Sequence, residues 1–259
     1  MKKTLLASAI ALVATGHAYA DYQFELGAVY TQGEMANTDY DGFGIGGEFN
    51  FDKVDTSKGP LAEASFLDKS SSVNFAFLSV EPDFAGADDV DTTNIGGRFV
   101  TASNLIIEAD WSKVEMGNFD TDSIRVGLGT YLNDNTDVVV SYTTEDDNNA
   151  DVDYLDVAFH GVNPLNQGAS VGYDVAVGYI DTDADSGYHI DVGGIYYFNN
   201  MLGLGLSAGI TDIGDFSSDT ISLDASFFPA PEVEVAFSYF DEGGDADGNG
   251  ILLGAAFRF

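Results

Sequence analysis

Residues 187–211 read GYHIDVGGIYYFNNMLGLGLSAGIT, and within them Val192–Thr211 runs for twenty residues without a charge. That length and apolarity would suit a membrane-spanning helix. Its five glycines and the Asn199-Asn200 pair at its middle argue otherwise. Before the pair, Tyr188, Ile190 and Val192 alternate with other residues; after it, Leu202, Leu204, Leu206, Ala208 and Ile210 do the same. A period of two is the period of a strand, and a pair of asparagines between two such runs is a turn. The stretch is a hairpin.

The same alternation recurs along the chain. Apolar faces are formed by Tyr22-Phe24-Leu26-Ala28-Tyr30, by Phe43-Ile45-Gly47-Phe49-Phe51 and by Leu105-Ile107-Ala109-Trp111. Further faces follow at Ile124–Leu128, Val138–Tyr142, Leu155–Phe159, Val171–Tyr179, Ile221–Phe227 and Val233–Tyr239. The chain ends on another, Ile251, Leu253, Ala255, Phe257 and Phe259, with no polar tail behind it. Segments of about ten alternating residues separated by turn signals are the signature of a membrane β-barrel. A soluble sandwich would alternate too. Two features separate them. Short connections, TASN (101–104), NDNT (133–136), NN (199–200) and PAP (229–231), alternate with longer acidic ones, TTEDDNNADVD (143–153), DTDADSG (181–187), TDIGDFSSD (211–219) and DEGGDADGNG (241–250). Barrels with short turns on one side and longer loops on the other have that rhythm. The aromatics also sort into two girdles, as a bilayer's two interfaces require. Tyr22, Phe24, Phe49, Phe51, Phe99, Phe159, Phe198, Phe227, Phe257 and Phe259 fall beside the short turns; Tyr30, Trp111, Tyr142, Tyr179, Tyr188 and Tyr239 fall beside the acidic segments.

The expected fold is therefore all-β: a transmembrane antiparallel β-barrel of 14 strands, with N- and C-termini periplasmic. PLAEASFL (60–67) alternates poorly, begins with Pro and holds good helix formers; it reads as a short periplasmic helix or turn. Residues 1–20 carry Lys2-Lys3, a short apolar run and Ala18-Tyr19-Ala20, the pattern of a cleaved secretory signal peptide. Residues 21–259 would then form a single outer-membrane domain. Without the leader, 239 residues remain, with 7 Lys+Arg against 43 Asp+Glu, net -36. Such a surface repels nucleic acid and attracts cations. There is no cysteine, so an exported chain must hold itself together without disulfides.

The leader, the opening DYQFELGAVY, the stretch KGPLAEASFLDKSSSV (58–73) and the closing GAAFRF together resemble the outer-membrane porins of marine Gram-negative bacteria. The stretch 58–73 is the most specific part. The resemblance implies a cell-outer-membrane barrel that passes small hydrophilic solutes and ions by passive diffusion. It also implies that Phe257 and Phe259 act as an assembly signal read by the barrel-assembly machinery, with lipid and lipopolysaccharide as surroundings.

If the apolar faces meet lipid, the alternate residues line the lumen. Pore-lining acids are then Glu25, Glu48, Glu108, Asp110, Asp156, Asp174, Asp191, Asp224 and Glu234; pore-lining bases are Arg98, Arg125 and Arg258. A wall so unbalanced predicts a preference for cations. Arg98 and Arg258 are expected either to form a basic patch near the exit or to pair with acids along the wall. DADGNG (245–250) opens like a calcium loop, but the twelfth position is Ala256 where a bidentate Glu is needed; Asp245, Asp247 and Asn249 offer at most a weak Ca²⁺ contact. No cofactor is expected. His160, beside the GVNPLNQG turn, reads as an interface residue, and His189 shares the inward face with Asp191, with Asp174 on the preceding strand. An acid–His pair can act as a base, but no nucleophile accompanies either His, so no enzyme is expected. The alternatives are a closed or plugged structural or adhesive barrel and, further off, an outer-membrane hydrolase.

Overall fold

The computed structural model describes residues 21–84, 86–146 and 151–259; the leader expected at residues 1–20 lies outside them. Fourteen strands follow one another in chain order: β1 (Tyr22–Met35), β2 (Thr38–Val54), β3 (Ser72–Pro82), β4 (Val90–Val100), β5 (Leu105–Met116), β6 (Phe119–Asn133) and β7 (Thr136–Asp146). The second half comprises β8 (Asp151–Pro164), β9 (Ser170–Thr182), β10 (Ser186–Asn199), β11 (Leu202–Ile213), β12 (Phe216–Ala230), β13 (Val233–Gly244) and β14 (Gly248–Arg258). Each pairs antiparallel with its sequence neighbours, and β14 pairs with β1, so the sheet closes on itself. Closure leaves no strand edge, the condition for a sheet in hydrocarbon. Among the described residues no helix is long and apolar enough to cross a membrane. Residues 187–211 are β10, a tight turn at Asn200-Met201 and β11, with Ile190 opposite Ile210 and Val192 opposite Ala208.

The apolar faces point outward: Leu26, Ile124, Leu128, Leu206 and Leu223 are each half or more exposed. In water that would be an aggregation surface; in a bilayer it is the solvated face. The seam pairs Leu26 with Phe257, Ala28 with Ala255 and Tyr30 with Leu253. Phe259 continues the strand: its N–H donates to Phe24 O, and its carbonyl accepts from Gln23 N and Phe24 N, all at 2.9 Å. Its ring stacks on Phe24 at 5.4 Å. The start of β1 and Phe259 therefore lie at one end of the barrel, called here the terminal end; the opposite end is the rim.

Two expectations change. The acidic segments are mostly strand, not loop. Residues 211–219 contribute to β11 and β12, which turn on Gly214-Asp215 alone, and β1 turns into β2 on Ala36-Asn37. Positive φ at Gly214 (57°), Gly117 (60°), Ala36 (49°) and Asn37 (63°) fits such two-residue hairpins. The aspartates keep the ladder going past the apolar band, because alternation still satisfies the backbone when both faces are polar. The longest connection, 55–71, joins β2 to β3 at the terminal end, where the short helix or turn at 60–67 was expected. The second change is Tyr22. A register shift between Tyr22 and Phe24 turns its ring inward, where it is 5% exposed, so it leaves the outer girdle.

Candidate functional site

The connection 55–71 folds back into the terminal end of the lumen. It contains two 3-10 turns (Thr56–Lys58 and Leu61–Glu63) and the helix α1 (Ala64–Asp68), so the helix expected at 60–67 is present. Asp55 begins it, accepting from Ser57 N and Oγ; these bonds hold its carboxyl below the usual carboxylate range. Lys69, at φ 58°, caps α1 in the left-handed region, and Lys58 pairs with Asp68 across the neck. The segment then meets inward side chains around most of the circumference. Ala64 packs with Tyr22 and Val54. Phe66 packs against Ile106, Tyr131 and Val139. Tyr197 Oη donates to Glu63 Oε1 at 2.5 Å, and Arg258 Nη1 donates to Leu61 O at 2.8 Å.

Three charge clusters line the wall. On β4–β7, Arg98 binds Glu108 at 2.6 Å and Asp137, while Arg125 binds the second oxygen of Glu108 at 2.8 Å and Asp110 at 3.0 Å. Cross-strand register sets this up, since Arg98 faces Glu108 and Arg125 faces Asp110. At the seam, Arg258 pairs with Glu25 and, at 3.6 Å, with Glu234. Its guanidinium lies between the rings of Tyr22 and Phe228, 4.7 Å from each. Arg98 and Arg258 thus pair with acids along the wall rather than forming a basic patch.

The histidines make the third cluster. His160 Nδ1 lies 2.6 Å from Asp174 and its Nε2 lies 3.1 Å from Glu63. His189 Nε2 lies 2.6 Å from Asp156 and its Nδ1 2.9 Å from Asp191. Ionised carboxylates only accept, so each ring must donate from both nitrogens. In this arrangement both nitrogens of each ring are engaged by carboxylates. His160 is thus a luminal residue clamping the folded-in segment, not an interface residue, and Asp174 serves it rather than His189. His189 on β10 reaches Asp156 on β8 across β9 because residue 178 is Gly; a Cβ there would lie 2.0 Å from His189 Nε2 and 2.1 Å from Asp156 Oδ1.

Among the described residues, two predicted acids, Asp224 and Glu48, have no ion-pair partner. Asp224 accepts from Ser222 and Ser238, and Glu48 stands opposite Glu25. They face open space: a recess of about 390 Å³ includes Asp174, Asp191 and Asp224, and one of about 530 Å³ includes Glu25, Glu48 and Glu234. Sequence reasoning missed further luminal acids, Asp137 and Glu63 among them. Asp137 could have been found because it alternates with the outward Val138, Val140 and Tyr142; Glu63 could not, because nothing local says that a connection folds inward. Near the rim, Asp245 Oδ2 accepts from Ser217 N, Asp247 O accepts from Ala36 N, and Asn249 is a ladder residue of β14. No group of three or more His, Asp or Glu side chains arranged for a metal occurs among the described residues.

A family model described as "Putative general bacterial porin" matches residues 1–200. The chain belongs to that porin family. Among solved structures, this porin is similar to the outer membrane protein Omp33 of Acinetobacter baumannii, at 23% identity and TM-score 0.69, covering 93% of this chain and 99% of that one. It is also similar to a structure described as a bacterial polysaccharide outer membrane secretin, at 10% identity and TM-score 0.56, covering 92% and 99%. At these identities the likeness is one of fold. Comparison with curated protein sequences finds no significant match. Family and closed barrel together make the protein an outer-membrane porin channel.

Proposed function

We propose that this porin passes small hydrophilic solutes and ions by passive diffusion with a preference for cations. The observation that carries the reading is the charge balance of the lumen. Eleven of its carboxylates, the nine predicted with Glu63 and Asp137, face three arginines and two histidines. Even with both histidines charged, six negative charges are left over, and each arginine is already bound by two acids. A wall of that sign raises local cation concentration and excludes anions, more strongly at low salt. The acidic strand ends at the rim extend the same field outward.

The test is a reversal potential in a planar bilayer under a KCl gradient. A potential on the potassium side is expected, growing as ionic strength falls; a chloride-side potential refutes the preference. The folded-in connection favours one competing reading, a closed structural barrel. Discrete conductance steps support the porin, and a silent bilayer supports the closed barrel.

A further inference from the structure

The seat of the 55–71 connection is built from both sides of the closing seam and from the far wall at once. We infer that this connection is a fixed strap that holds the barrel shut at the β1–β14 seam, not a stopper that leaves the lumen when solute passes. The inference does not depend on cation preference.

At the seam the strap touches all the parts that closure brings together. Ala64, 2% exposed, rests on Tyr22 of β1 and Val54 of β2. The guanidinium of Arg258, on β14, is shared among Leu61 O of the strap, Glu25 of β1 and Glu234 of β13. Arg258 is itself 5% exposed, so one buried cation ties together three strands and the strap. An open barrel would have no such seat, because its two halves come from opposite ends of the chain. Whatever binds only the closed form stabilises closure by mass action.

On the far wall the strap is anchored independently. Tyr131 Oη donates to Phe66 O at 2.8 Å, Lys69 Nζ pairs with Asp134 at 3.0 Å, and Leu61 N donates to Asn200 O at 2.8 Å. Glu63 is held by Tyr197 and His160. The strap is also closed on itself, through Lys58–Asp68 and through Ser70 N donating to Ser65 O at 2.9 Å. Phe51 N donates to Ser71 O at 2.9 Å, so its two ends are joined at the root. Expelling it would uncover Leu61 and Leu67, strip Glu63 of its donors and take Leu61 O from Arg258 in one step. Nothing outside the lumen offers replacements for those partners. On this inference the strap stays seated while solute passes.

The cysteine-free chain allows a direct test. The Leu61–Asn200 backbone bond of 2.8 Å puts those residues side by side, so the double variant Leu61→Cys/Asn200→Cys is made to tether the strap on oxidation, with the disulfide verified by loss of free thiol. Single-channel conductance should be the same oxidised and reduced; loss of conductance on oxidation, regained on reduction, overturns the inference. In parallel, Glu63→Gln and a variant with residues 61–68 replaced by a Gly-Ser linker are heated in detergent, and the gel shift from folded to unfolded form is read. Both should unfold at lower temperature than the parent, the linker variant more so, and a linker variant that never folds fits the strap. A linker variant with the parent's unfolding temperature and larger conductance is a stopper removed, and refutes the strap. Should the tethered protein stay silent in both redox states, the porin reading fails, and the heating arm alone decides the strap.

Discussion

Arg258→Met removes the cation that the seam shares with the strap, and its cost can be worked from the contacts. Breaking a buried ion pair from one side costs about 3–5 kcal/mol, because the remaining charge is left uncompensated. Here two carboxylates are left, Glu25 and Glu234, with side chains 27% and 19% exposed. Water reaches both, which argues for the lower end, about 3 kcal/mol. Losing the bond to Leu61 O adds about 1 kcal/mol. The methionine stem retains contact with Tyr22 and Phe228 and offsets part of the lost ring contacts. A net loss of about 3–4 kcal/mol is expected. Urea unfolding of the protein in lipid vesicles measures it, with Trp111, the only tryptophan and a lipid-facing residue of β5, as the fluorescent reporter. The control is Arg125→Met, which removes the same charge from a side chain 33% exposed. There Glu108 keeps Arg98, so about 1 kcal/mol is expected. Equal losses for the two variants, or a loss below about 1 kcal/mol for Arg258→Met, would refute the argument that burial and sharing make Arg258 special.

Gly178→Ala places a methyl between His189 and Asp156, but the atoms it meets are side-chain tips that can swing away. The barrel should fold, lose this ion pair and unfold about 1 kcal/mol more easily; an unchanged urea midpoint would contradict that. Deleting Phe259 removes the three backbone bonds to Gln23 and Phe24 and the stack on Phe24, and should lower outer-membrane levels while surviving channels conduct as before. Normal levels of the truncated protein would show that the terminal residue is dispensable for assembly. Glu48→Gln with Asp224→Asn removes two charges that have no ion-pair partner, so the KCl reversal potential should move toward zero with little change in stability. An unmoved potential would mean that these carboxylates lie off the ion path.

What could be read from the sequence divides along the wall itself. Strand number, the hairpin at residues 187–211 and the lipid-facing residues follow from alternation, because a sheet with one face in lipid must obey a period of two. The same parity assigns the nine acids and three arginines to the inward face together. It fails where the parity is broken: the shift between Tyr22 and Phe24 moves one aromatic from girdle to lumen. Loop length failed for a related reason. Acidic composition resembles a loop, yet a strand with two polar faces forms the same ladder, and only the positive-φ turns show where it reverses. Asn37 and Gly214 are the residues to weigh, not the aspartates around them.

The strap lay beyond the reach of parity. Its helix was legible from Pro60 and the Ala-Glu-Ala run, but its direction was not, because a short helix at a barrel mouth can point either way. What decides the direction is supplied by other parts of the chain: inward Tyr22, Tyr131, Tyr197 and His160, each unusual for a hydrated wall. Two of these rings belong to small apolar clusters that would be poorly placed against water alone. Large inward aromatics near one end of an otherwise glycine-rich lumen mark a place where something must cover them. In this barrel that covering is the connection between β2 and β3, and it sits where the seam needs support.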